Sequence, residues 1–144
     1  MDEGRKIVCP HCDTINKAPA DKPLDQANCG RCHKKLFEGH PVALDEARFA
    51  RHVGNSDIPV IVDCWAAWCG PCRNIAPLFE RAAAELEPRA RFVKVDVDAN
   101  PNLSAKLNIR SIPALFAFKG GRVVAQQAGL TDPGMFKAWV ERFE

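Results

Sequence analysis

The residues best equipped for chemistry are seven cysteines: Cys9, Cys12, Cys29, Cys32, Cys64, Cys69 and Cys72. Six of them form three Cys-x-x-Cys pairs. The count is odd and the first residues, Met1 to Lys6, are not followed by an apolar leader. A secreted disulfide framework is therefore not expected, and in a reducing compartment such pairs are metal ligands or redox catalysts. The first two pairs, separated by sixteen residues, have the spacing of a two-knuckle zinc site. Cys9, Cys12, Cys29 and Cys32 would hold one Zn²⁺ tetrahedrally with no position left open, which makes the site structural. Gly30 is expected to permit the tight turn of the second knuckle. His11 and His33 are alternate ligands by type, but four thiolates already fill the tetrahedron. Cys9-Pro10-His11-Cys12 alone could pass for a redox dithiol, yet it lacks a buried strand before it and an amphipathic helix after it.

The third pair, in Trp68-Cys69-Gly70-Pro71-Cys72, has both. A cysteine at a helix start faces unpaired N–H groups and the positive end of the helix dipole, which favour its thiolate. Pro71 suits a first helical turn, where no N–H is needed. Cys69, the N-terminal member, is expected to be the more exposed and the attacking thiol. Cys72, one turn on, can resolve a mixed disulfide.

Two charged residues stand in apolar strands nearby. Asp63 alternates in phase with Ile61 and Trp65, so it should be buried with a raised pKa, able to pass protons to and from the resolving thiol. Lys94, in the next strand, either neutralises Asp63 or snorkels to the surface. Cys64 reads as a buried spectator. Pro113, after Ile112, opens a later strand and by local sequence has only a modest claim to a cis bond.

These groups need a frame. Val42–Leu44 reads as a short strand, and the stretch from Leu44 as a helix with Phe49 and Val53 as contacts. Residues 59–65 are a continuous apolar run broken only by Asp63, the pattern of a strand buried on both faces. Cys72 to Glu87 has helical spacing with Pro77 inside, which should kink it. Strand 91–96 and a short helix from Pro101 to Leu107 follow. Ala114 to Lys119 and Arg122 to Gln127 form a hairpin around Gly120-Gly121. Asp132 caps a last helix with Pro133 at its first position. The order β-α-β-α-β-α-β-β-α predicts an α/β fold with a mixed central sheet flanked by helices. The first 40 residues are core-poor, with Lys17 to Pro23 reading as a loop, so residues 1–40 need a staple that metal would supply. The boundary falls at Gly39-His40-Pro41, leaving 41–144 as the catalytic unit.

Composition excludes other classes. Of 144 residues, 47% are hydrophobic and 26% charged, with a net charge of +2, which rules out disorder. No apolar stretch reaches the ~18–20 residues of a membrane span. Arg31, His33, Lys34 and Lys35 form a small basic cluster without interleaved aromatics, so nucleic acid is not the expected partner.

Over residues 42–144 the chain closely resembles the thioredoxin family. The resemblance is carried by residues 62–72 (Val-Asp-Cys-Trp-Ala-Ala-Trp-Cys-Gly-Pro-Cys), Pro77, Asp96-Val97-Asp98, residues 109–113 (Ile-Arg-Ser-Ile-Pro) and Gly129. It implies a thioredoxin fold, with a small N-terminal four-cysteine, zinc-ribbon-like module as in the family's zinc-containing bacterial members. It also implies dithiol–disulfide exchange with disulfide-containing protein substrates. Electrons would come from a flavin- and NADPH-dependent thioredoxin reductase, and no organic cofactor would sit on this chain. By position, Cys69 is the nucleophile, Cys72 the resolving cysteine, Asp63 the buried carboxylate, Lys94 its lysine neighbour and Pro113 a cis proline facing the dithiol. Trp68, Gly70, Pro71, Ile112 and Gly129 match the surface that receives substrate. Cys64 stands where the family usually has a large apolar residue, Ala114 where Thr is common, and Ser111 where Gly is frequent. The expectation is a monomeric, cytoplasmic reductase. The zinc module's role stays open between stability, redox sensing by zinc release and partner docking. An oxidant or isomerase is disfavoured by the Gly-Pro dipeptide.

Overall fold

The computed structural model describes residues 4–129 and 132–144. Met1 to Glu3, part of the start read above as lacking a leader, lie outside them. The N-terminal segment holds two antiparallel strands, β1 (Arg5–Val8) and β2 (Ile15–Ala18), and a 3-10 turn at Leu24–Gln26. The expected loop is thus shorter: Lys17 and Ala18 complete β2, because Ala18 is needed inside the small core of Ile7, Leu24, Leu36 and Phe37. Ile58, from the larger part of the chain, joins that core.

The rest follows the predicted order: β3 (Val42–Ala43), α1 (Glu46–Asn55), β4 (Val60–Trp65), α2 (Gly70–Leu86), β5 (Arg91–Asp96), α3 (Pro101–Lys106), β6 (Ala114–Lys119), β7 (Arg122–Ala128) and α4 (Pro133–Glu141). α2 starts earlier than expected, at Gly70, and runs on through Pro77. Asp45 and Asp132 cap α1 and α4, accepting from the Arg48 and Met135 amides at 2.9 Å each. The five-stranded sheet has the order β3-β5-β4-β6-β7, with β3, β4 and β5 parallel and the β6–β7 hairpin antiparallel.

Each face of this sheet carries a core. Ile61, Phe92 and Leu115 pack with Ile75, Phe79 and Leu86 of α2 and with Phe136 and Val140 of α4. Val60, Val62, Cys64, Val93 and Val95 pack on the opposite face with Phe49 and Val53 of α1 and Leu103 of α3. Strand alternation then decides where the polar residues go. Asp63, in phase with Ile61, faces α2, whereas Cys64 faces α1 and α3. Lys94, in phase with Phe92, shares Asp63's face. Among the described residues no helix is long and apolar enough to cross a membrane.

Candidate active site and metal centre

β4 delivers its chain to the dithiol through a short turn, and Cys69 is the residue that caps α2. Its backbone is extended (φ −85°, ψ 109°), and its Sγ accepts the Cys72 amide at 3.2 Å. Cys69 and Cys72 are joined as a disulfide. Once this disulfide is reduced, the same amide and the helix N-terminus would favour a thiolate on Cys69. One expectation is corrected: both cysteines are 3% exposed, so Cys69 is no more open than its mate. The cross-link draws them together beneath Ala66, Trp65, Val97 and Ile112. The difference between the two sulfurs therefore lies in position along the helix and not in exposure.

Asp63 is completely buried, and among the described residues neither carboxyl oxygen has a hydrogen-bond partner. Burial pushes its pKa up to about 6, against the opposing charge of Lys94. Asp63 and Lys94 are register neighbours on β4 and β5. Both line a cavity of about 290 Å³ whose wall also includes Cys72, Trp65 and Arg73. Lys94 is half-buried, its ammonium 5.2 Å from the centre of the Trp65 ring. Cys64 is fully buried on the other face of the sheet, where burial pushes its thiol up to about 12.

Around the disulfide, Trp68 is 69% exposed and donates from Nε1 to Asp98 at 2.8 Å. Gly70 and Pro71 are exposed at the start of α2. Ile112 and Pro113 are half-buried and joined by a cis bond, as the resemblance implied. A Cβ on Gly129 would lie 2.7 Å from Pro113 Cγ and 2.1 Å from Ile75 Cδ1. Asp98 and Arg73, which donates to the Ala67 carbonyl at 2.7 Å, were not singled out from sequence. Asp98 belongs to the segment Asp96-Val97-Asp98, and the fold turns it toward Trp68.

At the other centre, the Sγ atoms of Cys9, Cys12, Cys29 and Cys32 all lie within 4.8 Å of one another. Cys9–Cys32 and Cys12–Cys29 sulfurs are 3.6 Å apart. A tetrahedral Zn²⁺ with Zn–S near 2.3 Å needs sulfur separations of roughly 3.8 Å, so the set fits the ion. Amides of His11 and Arg31 donate to Cys9 and Cys29 Sγ, each at 3.4 Å, as thiolate ligands require. Burial pushes the Cys9 thiol up to about 12. At Cys29 burial is outweighed by backbone donors and the Asn16 amide, and its thiol falls to about 5. His11 pairs with Glu38, outside the ligand set. Gly30 is not the tight position expected: the left-handed residues are Asp13 (φ 61°) and His33 (φ 66°), each just after the second cysteine of its knuckle.

The profile of the family described as Thioredoxin matches residues 40–142, and that described as Thioredoxin 2, N-terminal, matches residues 8–34. Thioredoxin C-3 of Corynebacterium nephridii is 40% identical over 136 residues, covering 94% of this chain and 93% of its own. Thioredoxin 1 of a Nostoc strain is 45% identical over 86 residues, 60% of this chain and 80% of its own. Among solved structures, a mutant thioredoxin from Halobacterium salinarum superposes with a TM-score of 0.67 at 29% identity, covering 74% of this chain and 93% of its own.

Proposed function

Since the chain belongs to the thioredoxin family and is a thiol–disulfide oxidoreductase, we propose that it works as a cytoplasmic protein-disulfide reductase, recharged by a flavin- and NADPH-dependent thioredoxin reductase. Dithiol–disulfide exchange runs through Cys69 and Cys72. The Cys69 thiolate attacks one sulfur of a substrate disulfide, and the other substrate sulfur leaves and takes up a proton. Asp63 then receives the Cys72 proton across the shared cavity, with Lys94 balancing the carboxylate charge. The Cys72 thiolate attacks Cys69 Sγ, the second substrate thiol departs, and two electrons have passed to the substrate. Trp68, Gly70, Pro71, Ile112, Pro113 and Gly129 form the surface on which an extended substrate chain lies. We read residues 1–40 as a metal-binding module and 41–144 as the redox domain of a monomer. Cys9, Cys12, Cys29 and Cys32 would hold one Zn²⁺, whose contribution is structural.

The observation that carries the reductase reading is Cys69 as the cap of α2, with the Cys72 amide on its sulfur. Insulin reduction driven by NADPH and a thioredoxin reductase tests it. Cys69→Ser is expected to fall to background, and turnover at the wild-type rate would rule the mechanism out.

A further inference from the structure

The two carbonyls on either side of Cys9 are each held by an arginine from the redox part of the chain. Arg91, the first residue of β5, donates from Nη2 to the Val8 carbonyl at 3.2 Å and to Leu36 at 2.8 Å. Arg48, on α1, donates from Nη2 to the Pro10 carbonyl at 3.1 Å. Arg91 is 1% exposed, and its guanidinium lies 4.2 Å from the centre of the Phe37 ring. Its carboxylate partner, Glu87, is further off at 3.5 Å. Arg48 is locked by a two-pronged pair with the Asp13 carboxylate at 2.9 and 3.0 Å.

Such an arrangement does more than join two segments. Fixing the carbonyls before and after Cys9 fixes the backbone from which its Sγ projects. Four thiolates on one Zn²⁺ leave roughly two negative charges in a partly buried site, and a buried guanidinium nearby offsets them. Partners beyond the ligands set both ligand orientation and metal retention. We infer that Arg48 and Arg91 are positioning residues for the metal site, so the redox domain completes the outer shell of a centre whose four ligands lie outside it. The inference rests on the zinc reading of the four cysteines.

Zinc transfer to a colorimetric chelator tests it, using the full-length reduced protein. Arg91→Met and Arg48→Met keep volume and lose the fork. Each should release zinc roughly tenfold or more faster than wild type, and the pair faster still. Arg91→Lys should fall between, because it keeps charge with fewer donors. Arg89→Met is the control, since among the described residues the Arg89 side chain pairs with Glu141 and Glu144, away from the metal-site cysteines. It should release zinc at the wild-type rate. Unfolding midpoints of all variants separate metal retention from global stability. Should Arg91→Met misfold, Arg48→Met carries the test. Wild-type release rates in both Met variants, or acceleration in Arg89→Met to match, would overturn the inference. Wild-type protein that takes up no zinc would overturn the underlying zinc reading, and the inference with it.

Discussion

Asp63 concentrates the energetic tension of the site. Its carboxyl is buried, without a hydrogen-bond partner among the described residues, at about 6 against an ordinary 3.8. A value raised on folding means that the folded chain holds the proton more firmly. The associated stabilisation is complete below pH 3.8, declines as pH rises through about 6 and is gone above it. The gap corresponds to ~3 kcal/mol. Asp63→Asn, neutral throughout, should therefore be more stable than wild type by up to about 3 kcal/mol near pH 8, with the two converging near pH 4. Urea unfolding at both pH values checks this, and a gap of equal size at both would contradict it. The same variant should resolve mixed disulfides more slowly, having no carboxylate to take the Cys72 proton. Cys64, its neighbour in sequence, is also buried with a raised thiol pKa, but alternation turns its side chain to the opposite core, away from the cavity beside Cys72.

At the scale of elements, the site is a meeting of three: the start of α2, the cis turn at Ile112-Pro113 and the chain leaving β7. Gly129 is where the third comes closest. Ile75 Cδ1 can rotate away from an added Cβ, but the Pro113 ring at 2.7 Å has no such freedom. Gly129→Ala should displace the Pro113 ring and lower kcat/KM for protein disulfides by roughly tenfold, ~1.4 kcal/mol. Adding Ile75→Val should not restore it. Unchanged steady-state kinetics in Gly129→Ala would show that the turn yields without consequence. α2 supplies the other half of the geometry: its first turn polarises Cys69, and its apolar stripe anchors that turn to the sheet.

Across the whole molecule, Arg91 joins the metal-binding segment to the start of β5, while the dithiol follows the far end of β4. β4 and β5 run parallel, with Val60 beside Arg91 at one end and Trp65 beside Asp96 at the other. Arg91 binds the metal-binding segment, while Cys69 lies beyond Trp65. The strand between spans on the order of 17 Å. A disulfide needs Cα atoms within ~7 Å, so Cys69 cannot reach the four metal-site cysteines of its own chain. Cys72→Ser, mildly oxidised as a dilute monomer, should give no link from Cys69 to Cys9, Cys12, Cys29 or Cys32 in peptide mass mapping. Finding one within a monomer would contradict this arrangement. Any sensing by the metal site must then pass through packing, along α1 and β5, and not by direct thiol exchange.

What the sequence determined alone was local and periodic. The cysteine spacings named both centres, the phase of Asp63 within an apolar run foretold its burial, and the strand and helix patterns set the order of elements. Those signals survive in one dimension because each lies in short-range periodicity or in a fixed spacing along the chain, such as the sixteen residues between the first two cysteine pairs. Tertiary structure decided whatever depends on distant partners. The equal cover of Cys69 and Cys72 comes from the disulfide and the residues packed over it. Ala18's place in β2 comes from a core that Ile58 helps to close. The Asp98 bond to Trp68, the approach of Gly129 to Pro113 and the grip of Arg48 and Arg91 on either side of Cys9 join residues from 16 to 83 positions apart. Only packing brings such pairs into contact.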